Sequence, residues 1–161
     1  MIERLFYLST LLATTAGAAE LLGSTVPPYP DGLIEQSGAC IAQSRGLEHG
    51  CDYSIAVVGS EEGKPSVIVG TRMTGRDDQQ KARWVVTDTL PYPDIPEGYL
   101  LTIASCQVDG KDDQTIVAVV LNAEEEWLET LSWVRRFDMS KEKFVEQPTA
   151  GIRCRNEAAG L

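Results

Sequence analysis

A single, mainly β domain is the fold class this sequence predicts: an antiparallel sandwich, barrel or propeller-like arrangement of about seven short strands, with one short helix near 123–129. Three observations carry the expectation. Short β-branched runs, such as Ser66 to Gly70 and Thr115 to Leu121, recur at close spacing. Gly, Pro or Asp turn chemistry ends each of them. The chain has 161 residues, 43% hydrophobic and 24% charged, which is one ordinary globular domain's worth.

Met1 to Arg4 leads into an apolar stretch, Leu5 to Ala13, and then an A-x-A site at Ala16, Gly17 and Ala18. That layout predicts a secretory signal peptide over 1–18. The apolar stretch is too short to span a bilayer. The expected localisation is therefore exported, periplasmic or extracellular, with no membrane anchor after cleavage. Residues 19–38 read as a loop-like Pro-rich segment, because Pro27 to Gly32 carries turn and polyproline chemistry. Residues 39–161 form the expected disulfide-braced β domain.

Within that domain Tyr53, Ile55 and Val57 alternate along a first strand, Asp52 to Val58. Ser66 to Gly70 and Arg83 to Thr87 follow as strands. Leu90 to Gly98 is barred from a ladder by its prolines, which lack donors. Tyr99 to Cys106 and Thr115 to Leu121 read as strands joined by an acidic loop, Val108 to Asp113. Asn122 and Glu125 form a capping box before Trp127, Leu128, Leu131 and Val134, which predicts the helix. A helix running on to Arg135 and Arg136 would suit its dipole, with the glutamates at its start. Yet Trp133 to Asp138, a turn and Phe144 to Glu146 read as a hairpin, so the expected helix stops near 129. Strands near 131–137 and 143–147 and a last one at Ile152 to Cys154 complete the domain.

The four cysteines, Cys40, Cys51, Cys106 and Cys154, all follow the leader. An even count in an exported chain reads as two disulfides. Of the three possible pairings, Cys40–Cys51 and Cys106–Cys154 is favoured. The first closes a Gly-rich loop with little apolar content, and the second ties the last strand to mid-chain. Their chain-entropy contributions are about 3 and about 4 kcal/mol. The spacing is unlike the paired ligands of a zinc site. A Cys106–His49 catalytic pair conflicts with an oxidising compartment.

Three short correspondences, with a cysteine downstream of the first in each half (Cys40 and Cys106), suggest an internal duplication, although the offsets drift by several residues. Pro28-Tyr29-Pro30-Asp31 recurs as Pro91-Tyr92-Pro93-Asp94, Ala56-Val57-Val58 as Ala118-Val119-Val120, and Arg83-Trp84-Val85 as Lys143-Phe144-Val145. A unit unable to bury its sheet face alone would duplicate in this way. Coincidence is the competing account, since each motif is short.

The formal net charge of -10 opposes nucleic-acid binding, which needs Lys and Arg to neutralise phosphates. One histidine excludes multi-histidine metal centres. The loop Asp109-Gly110-Lys111-Asp112-Asp113 resembles the calcium loops of FG-GAP-type propeller repeats. It departs from them at the leading positions, Cys106 and Gln107. It supplies three carboxylates at most, where calcium takes about six to eight oxygens. A solvated turn is the better reading, and no metal or cofactor is expected. Glu61, Glu62 and Glu124 to Glu126 read as solubilising, because a glycosidase pair needs one carboxyl in a partly apolar cleft. Asp88 is a better-placed carboxylate without an evident partner. No nucleophile elbow, zinc-protease helix or phosphate-binding glycine loop is present. No catalytic residue is assigned. Trp84, Trp127 and Trp133 with Tyr92 and Tyr99 suggest a sugar platform, although core packing is the simpler role.

The expected partner-binding residues are Tyr92, Pro93 and Asp94, where prolines hold an aromatic in a loop, and Asp109, Asp112 and Asp113 in the acidic turn. The expected function is a periplasmic inhibitor or immunity protein that blocks a basic secreted hydrolase, such as one attacking the cell wall. Charge complementarity would steer the two together. A small secreted enzyme, a carbohydrate-binding domain and an envelope-assembly subunit are the alternatives. N-terminal sequencing of the native protein should begin at Ala19, or within a residue or two of it. An intact Met1 would overturn the export reading.

Overall fold

The computed structural model describes residues 20–30, 32–41 and 51–159. The predicted leader and His49 lie outside the described residues. Alternating β-branched segments and glycine turns divide the described chain into thirteen strands. These are β1 (Thr25–Val26), β2 (Leu33–Ile41), β3 (Tyr53–Ser60), β4 (Pro65–Arg76), β5 (Ala82–Pro91), β6 (Tyr99–Ile103) and β7 (Cys106–Val108). They continue as β8 (Lys111–Asp113), β9 (Ile116–Leu121), β10 (Trp127–Leu128), β11 (Leu131–Asp138), β12 (Lys143–Glu146) and β13 (Ile152–Arg155). Several are only two or three residues long, below what a sequence pattern resolves, so the count exceeds the expected seven.

All pairings are antiparallel, and three open sheets result. The first has strand order β1-β5-β4-β3-β2, the second β12-β11-β9-β6 and the third β10-β13-β7-β8. The second sheet is the middle layer. On β9, Ile116, Ala118 and Val120 pack with Cys106, Leu128, Ile152 and Cys154 of the third sheet. Val117 faces the other way, into Ile55, Val57 and Ile68 of the first sheet and Phe137 of β11. A strand covered on both faces must be apolar at every position. This accounts for Ile-Val-Ala-Val-Val, whose five residues are each 0% exposed. The outer face of the first sheet is covered in turn by the N-terminal segment, where Leu21, Val26 and Tyr29 pack on Val58, Val67, Val69 and Val86.

Both disulfides join the favoured pairs. Cys40–Cys51 links the end of β2 to a residue two positions before β3. Cys106 and Cys154 face each other across β7 and β13. Two disulfides are compatible with an oxidising compartment.

Four expectations need correction. Leu90 and Pro91 are not barred from a ladder, because they end β5 and pair with Ile68 and Val67 of β4. The segment 19–38 is not all loop. Thr25–Val26 pairs with β5, and Leu33 begins β2, which pairs with β3 from Leu33↔Ser60 to Ile41↔Tyr53. Its polar residues hid it, and an edge strand tolerates them. The helix near 123–129 is absent. Asn156 takes the carbonyls the helix would need: its Nδ2 donates to Ala123 O at 2.7 Å and Glu125 O at 3.0 Å, and its N donates to Glu126 O at 2.8 Å. Trp127 and Leu128 then pair with β13. Finally, Tyr99 to Cys106 is two strands. Ala104, at φ 59°, turns the chain from the second sheet into the third. The loop after it is the β7–β8 hairpin, turned by Asp109 and Gly110 at φ 50° and 76°. Those signs are what a two-residue hairpin turn requires.

Two of the sheets share one strand arrangement, although β7, β8 and β10 interrupt the second in sequence. Strands β2-β3-β4-β5 and β6-β9-β11-β12 are four-stranded meanders of the same order. Ala56 and Ala118 lie on the second strand of each and face outward, away from the interface between these two sheets. Ile55 and Val117 meet inside it. The third correspondence fails, because Trp84 faces the outer cluster and Phe144 the inner one.

The two meanders interlock at Gly70 of β4, over which the Phe137 ring lies. A Cβ at Gly70 would collide with Cε2 of the Phe137 ring. Gly70→Ala should therefore cost about 1–3 kcal/mol in urea unfolding, with part recovered by Phe137→Leu in the same chain. Stability unchanged to within about 0.5 kcal/mol would contradict this packing.

Candidate functional site

The chain leaves β5 through Pro91, Tyr92, Pro93 and Asp94. The flanking prolines fix their own φ and bias Tyr92 toward extended backbone. The Tyr92 N–H is held by Ser66 O at 3.1 Å. Its ring is half-buried, packed on the inner cluster with Leu90 and Trp133. Burial pushes the phenol pKa up. Trp133 and Arg135 come from β11, two residues apart and so on one face. The Arg135 guanidinium lies 5.1 Å from the Trp133 ring centroid. Its Nη1 donates to Val134 O at 2.8 Å, and its Nη2 meets Glu146 Oε1 at 3.4 Å.

Together Leu90, Tyr92, Pro93, Asp94, Trp133 and Arg135 line an open groove of about 320 Å³. Its walls are aromatic, and its rim carries one carboxylate and one guanidinium. Rigid aromatics beside an Arg are the usual anchors of protein interfaces. The lining holds no nucleophile paired with a base.

The structure does not join the six expected partner-binding residues in one site. Tyr92, Pro93 and Asp94 follow the first sheet, whereas Asp109, Asp112 and Asp113 belong to the β7–β8 hairpin of the third. Asp113 is committed internally. Its Oδ2 bridges Arg136 Nη2 at 2.7 Å, and its Oδ1 accepts from the Thr115 N–H at 3.0 Å. Asp112 Oδ1 accepts from Gln107 Nε2 at 2.8 Å. Asp109 shapes the turn, and its N–H donates to Gly151 O at 2.8 Å.

Other chemistry-bearing residues are similarly placed. Asp88 Oδ2 accepts from the Phe144 N–H at 2.8 Å and so ties β5 to β12 across the sheets. Trp84, Trp127 and Trp133 lie on the first, third and second sheet, so they form no common platform. Trp127 is flanked by the guanidinium groups of Arg153 and Arg155, 4.4 and 5.5 Å from its ring centroid. Among the described residues, no group of three or more His, Cys, Asp or Glu side chains is placed to hold a metal ion. Among them, too, no helix is long and apolar enough to cross a membrane.

Sequence reasoning found Tyr92, Pro93 and Asp94 of the groove but missed the role of Trp133 and Arg135. The period-two spacing of those two residues, in a strand expected near 131–137, was the available signal, but nothing local in the sequence shows that this strand packs beside Tyr92. No family model, curated protein or solved structure matches the chain.

Proposed function

We propose that this chain is an exported, acidic binding protein of the inhibitor or immunity type, which blocks a basic secreted hydrolase such as one that degrades the cell wall. The observation that carries the reading is the groove in which proline-held Tyr92 and Trp133 form an aromatic wall beside Asp94 and Arg135. The net charge of -10 supports it, because that field accelerates encounter with a basic partner and repels acidic ones. The two disulfides and the leader-like first 18 residues support an extracytoplasmic setting. A rigid, layered scaffold also suits the role, since binding then costs little ordering entropy.

A panel of basic peptidoglycan hydrolases, assayed for wall lysis with the purified mature protein, tests the proposal. Inhibition of at least one is expected, with an association rate that falls as salt rises. Tyr92→Ala and Asp94→Asn should each weaken inhibition by about fivefold or more, in proteins shown by thermal unfolding to remain folded. The pair Asp109→Asn and Asp112→Asn spares the Asp113–Arg136 bridge and should change inhibition little. If no hydrolase is inhibited, the proposal is wrong. If only the hairpin variant loses inhibition, the groove is not the site.

A further inference from the structure

The outer face of the first sheet carries a second recess, beyond the part covered by Leu21 and Val26. Its floor is made of small residues on neighbouring strands: Gly38 of β2, Ser54 and Ala56 of β3, and Thr71 of β4. Tyr29 and Trp84 form walls, beside the Cys40–Cys51 disulfide, and the volume is about 150 Å³. Glu35 is also part of the lining. A β-bulge between Glu35 and Ser37 shifts the register of β2. It brings the Glu35 carboxylate over Gly38, where a Cβ would lie 2.9 Å from Glu35 Oε1. Glu35 Oε2 accepts from the Tyr29 hydroxyl at 2.9 Å. Burial first, and then the Glu35 charge, raises the Tyr29 phenol pKa far above its ordinary value, so the hydroxyl stays a donor.

We propose that this recess is a receptor for one lysine side chain of the protein partner, with the aliphatic stem between Tyr29 and Trp84 and the ammonium on Glu35. Four observations lead there. About 150 Å³ suits one side chain and is well under the roughly 300 Å³ at which pockets for larger ligands begin. Aromatic faces beside a carboxylate favour a cation with an apolar stem. One carboxylate oxygen is occupied by Tyr29, which suits a point-like ammonium better than the two-pronged fork of arginine. The net charge of -10 favours cations throughout. The inference rests on the proposed binding of a basic partner and names the group that the partner presents.

The test uses the mature protein labelled with ¹⁵N and titrated with Nα-acetyl-lysine amide. The amides of Gly38, Ser54 and Thr71 and the Trp84 indole should shift together, while Nα-acetyl-norleucine amide, the neutral analogue, should leave them in place. Glu35→Gln keeps an acceptor for Tyr29 and should weaken lysine binding about three- to fivefold. Trp84→Leu should weaken it comparably. No shift with lysine, equal shifts with norleucine, or full binding by Glu35→Gln would overturn the proposal. Hydrolase inhibition separates the two readings. Inhibition that persists unchanged in Glu35→Gln sinks this recess alone, whereas lysine binding without any inhibited hydrolase sinks the inhibitor reading.

Discussion

Every layer of this protein is organised by the burial of one strand on both faces. From Ile116 to Val120, β9 has no exposed residue, and its alternate side chains serve two separate cores. A strand of that kind is unstable unless a sheet lies on each side of it. The first sheet supplies one cover, through Ile55, Val57 and Ile68, with Gly70 giving room for Phe137. The third supplies the other, although its strands are only two to four residues long. Elements so short cannot hold a face by their own ladders. The Cys106–Cys154 bond, directly across β7 and β13, compensates by linking its two central strands.

The same arrangement places the groove and the recess. Because the middle sheet is clamped, β11 presents Trp133 and Arg135 in a fixed position beside the end of β5. The bond from the Phe144 N–H to Asp88 fastens the two sheets at that side. Tyr92 therefore projects from a rigid corner, not from a mobile loop. On the far side of the first sheet, the covering N-terminal segment ends near Tyr29, and small residues leave the recess beside it. One groove and one recess thus lie on different faces of a single scaffold. A partner able to reach both would gain from two weak contacts at once.

The sequence made much of this legible where chemistry is local. Glycine and proline turns marked the loop between β3 and β4, but β4 runs on through Gly70 to Arg76, and β5 runs through Leu90 to Pro91, past where those residues were expected to stop them. The Asp109–Gly110 turn and both disulfide pairs followed from composition and loop content. What escaped depended on contacts distant in sequence. Asn156 competes with the helix that Asn122 and Glu125 encode, and nothing near residue 123 announces it. The polar strand β2 owes its existence to pairing with β3. At the sites, Tyr92 stood out because prolines flank it, whereas Trp133 and Arg135 matter only through the packing of β11 on the first sheet. The Glu35 recess was beyond reach, since a bulge brings its carboxylate onto Gly38.

Native-state hydrogen exchange on β9 tests the layered account most directly. Its amides bond to β6 and β11 within a sheet covered on both sides. The amides from Val117 to Val120 should therefore exchange only by global unfolding, within about 1 kcal/mol of the free energy from urea titration. Exchange of these amides several kcal/mol below that value, through an opening in which the third sheet detaches, would contradict the claim that β9 holds the layers together.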